Sequence, residues 1–259
     1  MALRKFRPEW NLRLWTRSRQ TARKALAVFP SVYTDEAETA EGADLCILCT
    51  PIGAMPSLAE RIASQLPPAA TITDVGSVKA GIVQRLESIL GGRFVGSHPM
   101  AGSEQSGFDA ARANLFEGAV CIVTPTPSSL PGSVGTVRDL WEGVGCRLIM
   151  MPPNEHDVCI ARVSHLPHAV AAALVNAINL RVADAGAIAG GGYRDTTRIA
   201  ASPPAMWREI FIENRAELAA GLDDFSTMLE KIKKMILSSD ATALETFLER
   251  AKTHRENLP

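Results

Sequence analysis

The sequence predicts an α/β protein in two parts, with a mostly parallel sheet domain over residues 1–151 and an all-helical domain over residues 152–259. Up to about residue 150, short β-rich runs alternate with helix-like segments, which is typical of βαβ units. After Pro152 and Pro153, long helical stretches follow with no convincing strand. The near-continuous apolar run Leu45–Cys49 indicates a strand buried on both faces, as parallel strands are.

The individual elements follow from apolar runs and from the residues that interrupt them. In the first part we predict strands at Leu12–Trp15, Leu45–Cys49, Thr71–Val75, Phe94–Gly96, Val120–Thr124 and Arg147–Met150. Helices are predicted at Ser57–Gln65, Val78–Leu90 and Val134–Gly143, with Pro67-Pro68 and Gly91-Gly92 as stops. In the second part we predict helices at Glu155–Arg162, His168–Ala185, Ala205–Ser238 and Ala241–Arg255. The segment Ala169–Ala189 is so rich in alanine and branched apolar residues that we expect a partner to cover it.

Charge and hydropathy exclude several classes of function. The chain has 27 Lys and Arg against 28 Asp and Glu, so its net charge of -1 gives no overall field for nucleic acid or an acidic membrane. We find no apolar run near the ~18 residues of a membrane span and no secretory signal. Eight basic residues lie in the first 24 positions, but Trp10–Trp15 alternates like a strand rather than a presequence. We therefore expect a cytoplasmic protein without nucleic-acid or membrane partners.

The five cysteines give no metal or redox site. Four of them lie in or beside apolar runs, so we expect small core residues. Cys46 and Cys49 have the spacing of a redox or metal pair, but residues three apart in a strand point to opposite faces.

Small, hydroxylated or ionisable residues follow three consecutive predicted strands. Thr50 and Pro51 follow the first, Ser77 the second, and His98 the third. Ligands of open α/β sheets bind beyond the carboxyl ends of the strands, so a site is expected at this edge. His98 is the leading candidate because histidine exchanges protons near neutral pH, and Ser77 is placed to orient it.

The helical part carries two further polar motifs. Ser164, His165 and His168 lie in the segment VSHLPH, which suits anion or substrate binding better than metal, because no Cys or carboxylate stands at the spacing of a third zinc ligand. The second motif, GGGYRDTTR, ends at Arg198. An arginine guanidinium can donate two parallel hydrogen bonds to one carboxylate, which suits binding of an acidic metabolite. Arg194 and Arg198 beside Asp195 are equally compatible with a solvated surface.

Four motifs together resemble prephenate dehydrogenase and the related arogenate and cyclohexadienyl dehydrogenases. They are DVGSVK from Asp74, GSHPMAGSEQSG from Gly96, VSHLPH, and YRDTTRIAASPPAMWREI from Tyr193, and the resemblance extends from about residue 10 to the end. It implies a Rossmann-like domain followed by a helical dimerisation domain. It also implies oxidative decarboxylation of prephenate to 4-hydroxyphenylpyruvate in tyrosine biosynthesis, without a metal. Arogenate, which carries an amino group in place of the keto group, stays open as the substrate.

The resemblance also implies roles for individual residues. His98 would accept the proton of the C4 hydroxyl, and Ser77 would hold both groups in line. The substrate carboxylates would meet Arg198, His168, His165 and Ser164, with Ser103, Glu104, Asp195 and Trp207 around them. The strand ends, including Thr50, Pro51, Ser77 and Met100, would contact the cofactor. The helical domains of two subunits would interlock in a homodimer.

One departure from this family concerns the cofactor. Its members begin with a strand and a Gly-x-Gly-x-x-Gly turn, whereas Met1–Phe6 resembles the later part of the helix that follows that turn. We therefore expect the nucleotide domain to be incomplete at its N-terminus. After Leu12–Trp15, where an acid normally binds the ribose, the sequence has Thr16, Arg17, Ser18 and Arg19. This basic turn favours NADP over NAD.

Two other functions stay open. One is a dimeric, non-catalytic metabolite-binding module that has lost dinucleotide binding, which the missing glycine turn suggests. The other is a hydroxyacid dehydrogenase that uses a catalytic lysine, for which Lys231, Lys233 or Lys234 is available. Those lysines lie on a charged helix that is expected to face solvent, which makes this second function the weaker one.

Overall fold

The computed structural model describes residues 1–102, 107–182 and 184–258. By their internal contacts these residues form two compact units, Met1–Asn214 and Arg215–Pro259. The first unit holds all seven strands found in the described residues, and the second consists of two helices. The boundary at residue 151 stays a prediction.

The strands and helices follow the sequence pattern closely in the middle of the chain. The strands are β1 Leu14–Trp15, β2 Val32–Tyr33, β3 Leu45–Leu48, β4 Thr71–Asp74, β5 Phe94–Pro99, β6 Val120–Thr124 and β7 Arg147–Met150. The helices of the sheet region are α1 Ala2–Phe6, α2 Arg19–Leu26, α3 Glu36–Ala40, α4 Met55–Ile62, α5 Ala80–Leu90 and α6 Pro131–Gly143. The remaining helices are α7 Pro153–Ile160, α8 Leu166–Asn179, α9 Ala185–Ile188, α10 Gly191–Thr197, α11 Pro204–Glu213, α12 Arg215–Leu237 and α13 Ala241–Glu256.

The main sheet has five strands in the order β3-β4-β5-β6-β7. All neighbours are parallel except β5 and β6, and β1 pairs with β2 in a separate parallel pair. The carboxyl ends of β3, β4 and β5 therefore share one edge, as expected. The predicted α/β fold with a mostly parallel sheet followed by helices is confirmed.

Apolar residues on both faces of the sheet form two cores. One core joins β3 and β4 to α4 and α5 through residues such as Leu48, Ile72 and Leu86. The other packs Val95 and Val123 against Trp141 of α6. Gly96 of β5 is required here, because a Cβ would lie 2.5 Å from the Thr124 hydroxyl and 2.8 Å from Val83.

Several predicted boundaries were wrong. β5 continues to Pro99 because antiparallel β6 supplies partners for residues 96–99, so His98 lies within a strand and not in a loop after it. The predicted helix Ala205–Ser238 is interrupted at Asn214, and the predicted helix His168–Ala185 ends at Asn179. The short elements β2, α2 and α3 were missed.

Helices α7 and α8 run into one another through a π turn at Ala161–His165. The joined stretch Pro153–Asn179 has 27 residues, and an 18-residue window within it has a mean hydropathy of 1.5, which meets the length and composition of a membrane span and corrects the expectation that no such run exists. Its buried side chains include His156, Asp157, His165 and His168. Four buried polar residues on one helical stretch are typical of a protein interior rather than of a lipid-facing surface.

The cysteines are less buried than expected. Cys121 and Cys146 are core residues, but Cys49 and Cys159 are exposed. Cys49 follows the end of β3, and Cys159 lies on α7. Although Cys49 is exposed as a residue, burial of its thiol raises the pKa to about 11. Burial raises the pKa of the Cys46 thiol to about 12, which disfavours the thiolate that redox chemistry needs. Within the described residues no group of His, Cys, Asp and Glu is arranged to hold a metal ion.

Candidate active site

The strongest candidate for a reactive group is His98, which β5 holds in the sheet at 7% exposure. Its Nδ1 lies 2.9 Å from Nε2 of His156 on α7. The other ring nitrogen of His156, Nδ1, lies 2.8 Å from a carboxylate oxygen of Asp157. Two histidines and an aspartate thus form one buried hydrogen-bonded chain.

Asp157 is fixed by the main chain at the start of α5. Its two carboxylate oxygens accept hydrogen bonds from the N–H groups of Lys79 and Ala80, both at 2.8 Å. These N–H groups begin a helix and have no partner within it, so a carboxylate is a favourable cap. The Asn214 side chain donates to the Asp157 carbonyl at 2.9 Å, which ties α7 to the end of α11.

A buried ion pair lies next to this chain. The Lys79 ammonium contacts the Asp74 carboxylate, and both side chains are completely buried. Asp74 also accepts hydrogen bonds from the N–H groups of Gly76 and Ser97. These contacts hold the segment after β4 against β5, which is the segment that carries Ser77.

The described structure contains no hydrogen bond between Ser77 and His98, and the ring contact of His98 is with His156 instead. The expectation that Ser77 orients this ring therefore needs correction, because α7 supplies a closer partner. Ser77 itself is half-buried and follows β4 by three residues. Its role as a contact for the substrate hydroxyl stays a prediction.

A second cluster lies where the π turn meets α8 and α11. The His168 and Trp207 rings stack with centroids 3.5 Å apart, and His165 lies edge-on to Trp207 at 6.2 Å. Three buried polar atoms of this cluster, His165 Nε2, His168 Nδ1 and Trp207 Nε1, have no hydrogen-bond partner among the described residues. Unpartnered buried polar atoms are costly, so their convergence favours a polar ligand.

Burial keeps these histidines neutral. It lowers the pKa of His98 well below the ordinary value, and the positive charges that His156, Lys79 and His165 can carry act in the same direction. Burial lowers the pKa of His165 to about 4 and also lowers the pKa of His168. For His156, burial lowers the pKa more than Asp157 raises it. Neutral imidazoles can accept a proton at neutral pH.

The remaining predicted substrate residues are more open. Ser164 is half-buried in the π turn, while Asp195 on α10 and Arg198 after it are exposed in the single chain. Ser103 and Glu104 lie outside the described residues. The structure thus brings together His165, His168 and Trp207, and it leaves Asp195 and Arg198 at the surface.

The predicted cofactor residues follow the ends of β1, β3, β4 and β5. Ser18 caps α2 by accepting a hydrogen bond from the N–H of Thr21, and its own N–H donates to the Thr16 hydroxyl. Arg17 and Arg19 are exposed on that turn. At the end of β3, Thr50 precedes the exposed Pro51, and its hydroxyl is buried without a partner among the described residues. Met100 is half-buried after β5.

Sequence reasoning missed His156, Asp157 and Asn214. The only signal was an adjacent His-Asp pair in a helix whose other residues are largely apolar. Nothing in the sequence shows that this pair reaches His98, which lies 58 residues earlier in the chain.

Two family models together match most of the chain. The prephenate dehydrogenase nucleotide-binding domain matches residues 1–150, and the prephenate dehydrogenase dimerization domain matches residues 152–250. Among curated proteins, the prephenate dehydrogenase of Bacillus subtilis is 38% identical over 220 residues, which are 82% of this chain and 59% of the relative. The cyclohexadienyl dehydrogenase of Zymomonas mobilis is 35% identical over 88% of this chain and 80% of its own length.

Solved structures agree with the sequence comparisons. The prephenate dehydrogenase of Aquifex aeolicus, in complex with hydroxyphenyl propionate and NAD+, superimposes with a TM-score of 0.94 at 35% identity, covering 100% of this chain and 92% of that one. The arogenate dehydrogenase of Synechocystis superimposes with a TM-score of 0.82 at 29% identity, covering 97% and 92%.

Proposed function

The chain belongs to the prephenate dehydrogenase family, and from that premise we propose that it catalyses the NAD(P)-dependent oxidative decarboxylation of prephenate to 4-hydroxyphenylpyruvate. The observation that carries the proposal is the buried, neutral His98 at the sheet edge, whose Nδ1 is already bonded to His156. Proton acceptance therefore falls to Nε2. A base that is neutral at pH 7 and fixed in direction is what removal of a hydroxyl proton requires.

In the proposed reaction the protein's residues handle the proton, and the cofactor would accept the hydride. His98 Nε2 accepts the proton of the C4 hydroxyl, and Ser77 contacts that hydroxyl from the neighbouring strand end. A nicotinamide held at the strand ends near Ser77 would supply the acceptor for the hydride of C4. The ring carboxylate then leaves as carbon dioxide, and its bonding electrons complete the aromatic ring. The C4 oxygen then takes the proton back from His98 Nε2, which gives the hydroxyl of 4-hydroxyphenylpyruvate and returns His98 to its neutral form.

Substrate carboxylates fit the second cluster. His165, His168 and Trp207 present ring nitrogens that have no partner among the described residues, and a neutral histidine or an indole can donate to a carboxylate. We assign Arg198 to the same ligand as the cation, with Ser164 and Asp195 at its margin. Ser103 and Glu104 are assigned to substrate on the resemblance alone.

The chain fits a dinucleotide in part. The unpartnered buried hydroxyl of Thr50 suits a polar ligand at the end of β3, and Pro51, Ser77 and Met100 flank the same sheet edge. The nucleotide-binding family match and the NAD+ complex of the Aquifex aeolicus enzyme support a nicotinamide cofactor. We further propose a preference for NADP, since Thr16, Arg17, Ser18 and Arg19 offer hydroxyls and cations to a 2′-phosphate and no carboxylate to repel it.

We also propose a homodimer, which the exposed apolar side chains of the helical part support. Val163, Leu180 and Ile188 are 69%, 82% and 79% exposed in the single chain. Such exposure is unusual for a soluble monomer, and a second copy would cover it. The matching dimerization-domain model supports this assembly.

Steady-state assays test the proposal. The protein is incubated with prephenate or arogenate and with NADP+ or NAD+, and reduced cofactor is followed by absorbance while the product is identified by chromatography. We expect turnover of prephenate with release of one carbon dioxide per reduced cofactor. Turnover of arogenate alone would change the substrate, and turnover of simple 3-hydroxyacids without prephenate would reject the reaction.

Two alternatives have different outcomes in these assays. A non-catalytic metabolite-binding module would bind prephenate but give no change in NADPH fluorescence on titration. A lysine-dependent hydroxyacid dehydrogenase would need Lys231, Lys233 or Lys234. All three are exposed on α12, which disfavours the desolvation that activates a catalytic lysine.

A further inference from the structure

We propose that His156 and Asp157 act as positioning residues that fix His98 in the tautomer with its proton on Nδ1, so that Nε2 is the proton acceptor. The three side chains form a hydrogen-bonded chain from the start of α5 to β5. The proposal rests on the proposed function for its catalytic consequence. Its structural part, the position of one proton, can be measured without any turnover.

Asp157 determines which groups donate and which accept along this hydrogen-bonded chain. Both carboxylate oxygens accept main-chain N–H groups, from Lys79 and Ala80 at 2.8 Å. A carboxylate that is surrounded by donors is held in its ionised form and can only accept. Burial alone would raise the pKa of Asp157, but the hydrogen bonds from His156, Ala80 and Lys79 outweigh it and lower that pKa.

The proton positions along the chain then follow one from another. An acceptor at 2.8 Å requires His156 to carry a proton on Nδ1. Because His156 is neutral, its Nε2 is a lone pair and can only accept. The contact of 2.9 Å with His98 therefore requires the proton of His98 to be on Nδ1. A neutral His98 with that proton has its lone pair on Nε2.

The same chain supports His98 after it accepts a proton. The imidazolium would keep donating through Nδ1 to His156, and the negative charge of Asp157 would stand behind it. This support matters because the other groups that face His98, the Lys79 ammonium and His165, oppose a positive charge there. Lys79 is itself paired with Asp74, which limits its effect. Asp157 is thus the carboxylate that is linked to His98 through one intervening side chain, that of His156.

Nitrogen-15 NMR of the histidine side chains tests the tautomer directly. The protein has five histidines, and loss of one set of signals in His98→Asn assigns His98. We expect the wild-type protein to show His98 protonated on Nδ1. We expect His156→Phe to shift the population toward the Nε2 form and His156→Gln, which can accept from His98 and donate to Asp157, to preserve it. Protonation of wild-type His98 on Nε2 would overturn the proposal.

Kinetics test the consequence for catalysis. We expect His156→Phe to lower kcat by about tenfold to a hundredfold with little change in the KM for prephenate, and His156→Gln to restore most of it. Asp157→Asn removes the charge while leaving an acceptor, so the acid limb of the kcat profile should move to lower pH. In the background of His98→Asn, His156→Phe should have no further effect, because it acts through His98.

Controls separate this proposal from the proposed function. His254→Gln changes an exposed histidine on α13 and should alter neither the His98 signals nor kcat. If no substrate is turned over but the tautomers are as expected, the proposed function fails and the hydrogen-bonded chain stands. If turnover is normal and His156→Phe leaves kcat unchanged, the chain has no positioning role. Should His156→Phe fail to fold, the wild-type tautomer and His156→Gln still decide the structural part.

Discussion

The imidazole of His168 lies flat against the indole of Trp207, with the two planes 9° from parallel. The stack joins α8 to α11 and leaves His168 Nδ1 and Trp207 Nε1 buried without partners among the described residues. Groups that stacking already holds in place lose little entropy when a ligand binds, so the stack is consistent with the carboxylate binding proposed for this cluster.

Trp207→Phe tests whether the indole N–H binds substrate. Phenylalanine keeps an aromatic ring against His168 but removes the donor, so we expect the KM for prephenate to rise by about tenfold with a smaller effect on kcat. The measurement is steady-state kinetics with prephenate varied at saturating cofactor. Trp10→Phe, in the core beside α6, is the matched control and should leave KM unchanged. An unchanged KM in Trp207→Phe would remove this residue from the substrate site.

His98→Asn tests the proton acceptor. Asparagine retains a polar group of similar reach but cannot take up a proton, so kcat should fall by about a thousandfold while the KM for prephenate changes by less than about threefold. Circular dichroism and thermal unfolding establish that the fold is intact, and His254→Asn serves as the control for loss of an exposed histidine. Near-normal turnover in His98→Asn would refute the mechanism.

The turn after β1 sets the expected cofactor preference. Replacing Arg17 and Arg19 by serine removes the cations offered to a 2′-phosphate, so the KM for NADP+ should rise by about tenfold while the KM for NAD+ stays within about twofold. The ratio of kcat/KM for the two cofactors is the quantity to compare. Arg13→Ser provides a control at an arginine before this turn, whose side chain donates to the Glu41 carbonyl. Equal ratios in wild-type and doubly substituted protein would leave the preference without support.

Stability should fall in acid because of the buried histidines. The pKa of His165 is about 4 in the folded chain and about 6.5 when unfolded, so only the unfolded state gains the proton between these values. The contribution of His165 is complete above pH 6.5 and is lost as the pH falls toward 4, by roughly 3 kcal/mol. Urea unfolding at several pH values should show a shallower acid loss in His165→Gln than in wild type, whereas His254→Gln should match wild type.

Breaking the buried ion pair of Lys79 and Asp74 should lower the free energy of unfolding more than breaking an exposed ion pair does. Lys79→Met leaves a buried carboxylate without its cation, and we expect a loss of about 3–5 kcal/mol in the free energy of unfolding. Adding Asp74→Asn to that variant should recover most of it. Lys233→Met, which breaks the exposed contact with Glu230, should cost less than about 0.5 kcal/mol. Similar losses for the two lysine variants would contradict this account.

The sequence predicts the part of the site that depends on sheet topology. Because parallel strands end at one edge, His98 and Ser77 are identifiable from the order of the strands and the residues that follow them. The partner of His98 is not, since α7 reaches β5 only through the tertiary contact of Asp157 with the start of α5. The interruption at Asn214 is hidden for the same reason, because the amide is held by the Asp157 carbonyl and not by a local signal. The length of β5 depends on antiparallel β6, which no local pattern in Phe94–Pro99 indicates.

The π turn at Ala161–His165 has a consequence for how the family can vary. A π turn holds one residue more than an α turn, and one residue rotates the rest of a helix by about 100°. The rotation of α8 about its axis relative to α7 therefore depends on the number of residues in the π turn rather than on side-chain chemistry. Deleting Ala161 or Arg162, the two residues of this turn that precede the VSHLPH motif, would rotate His168 away from Trp207 while the motif itself stayed intact. Such a deletion would remove the His168–Trp207 stack without changing any sequence motif.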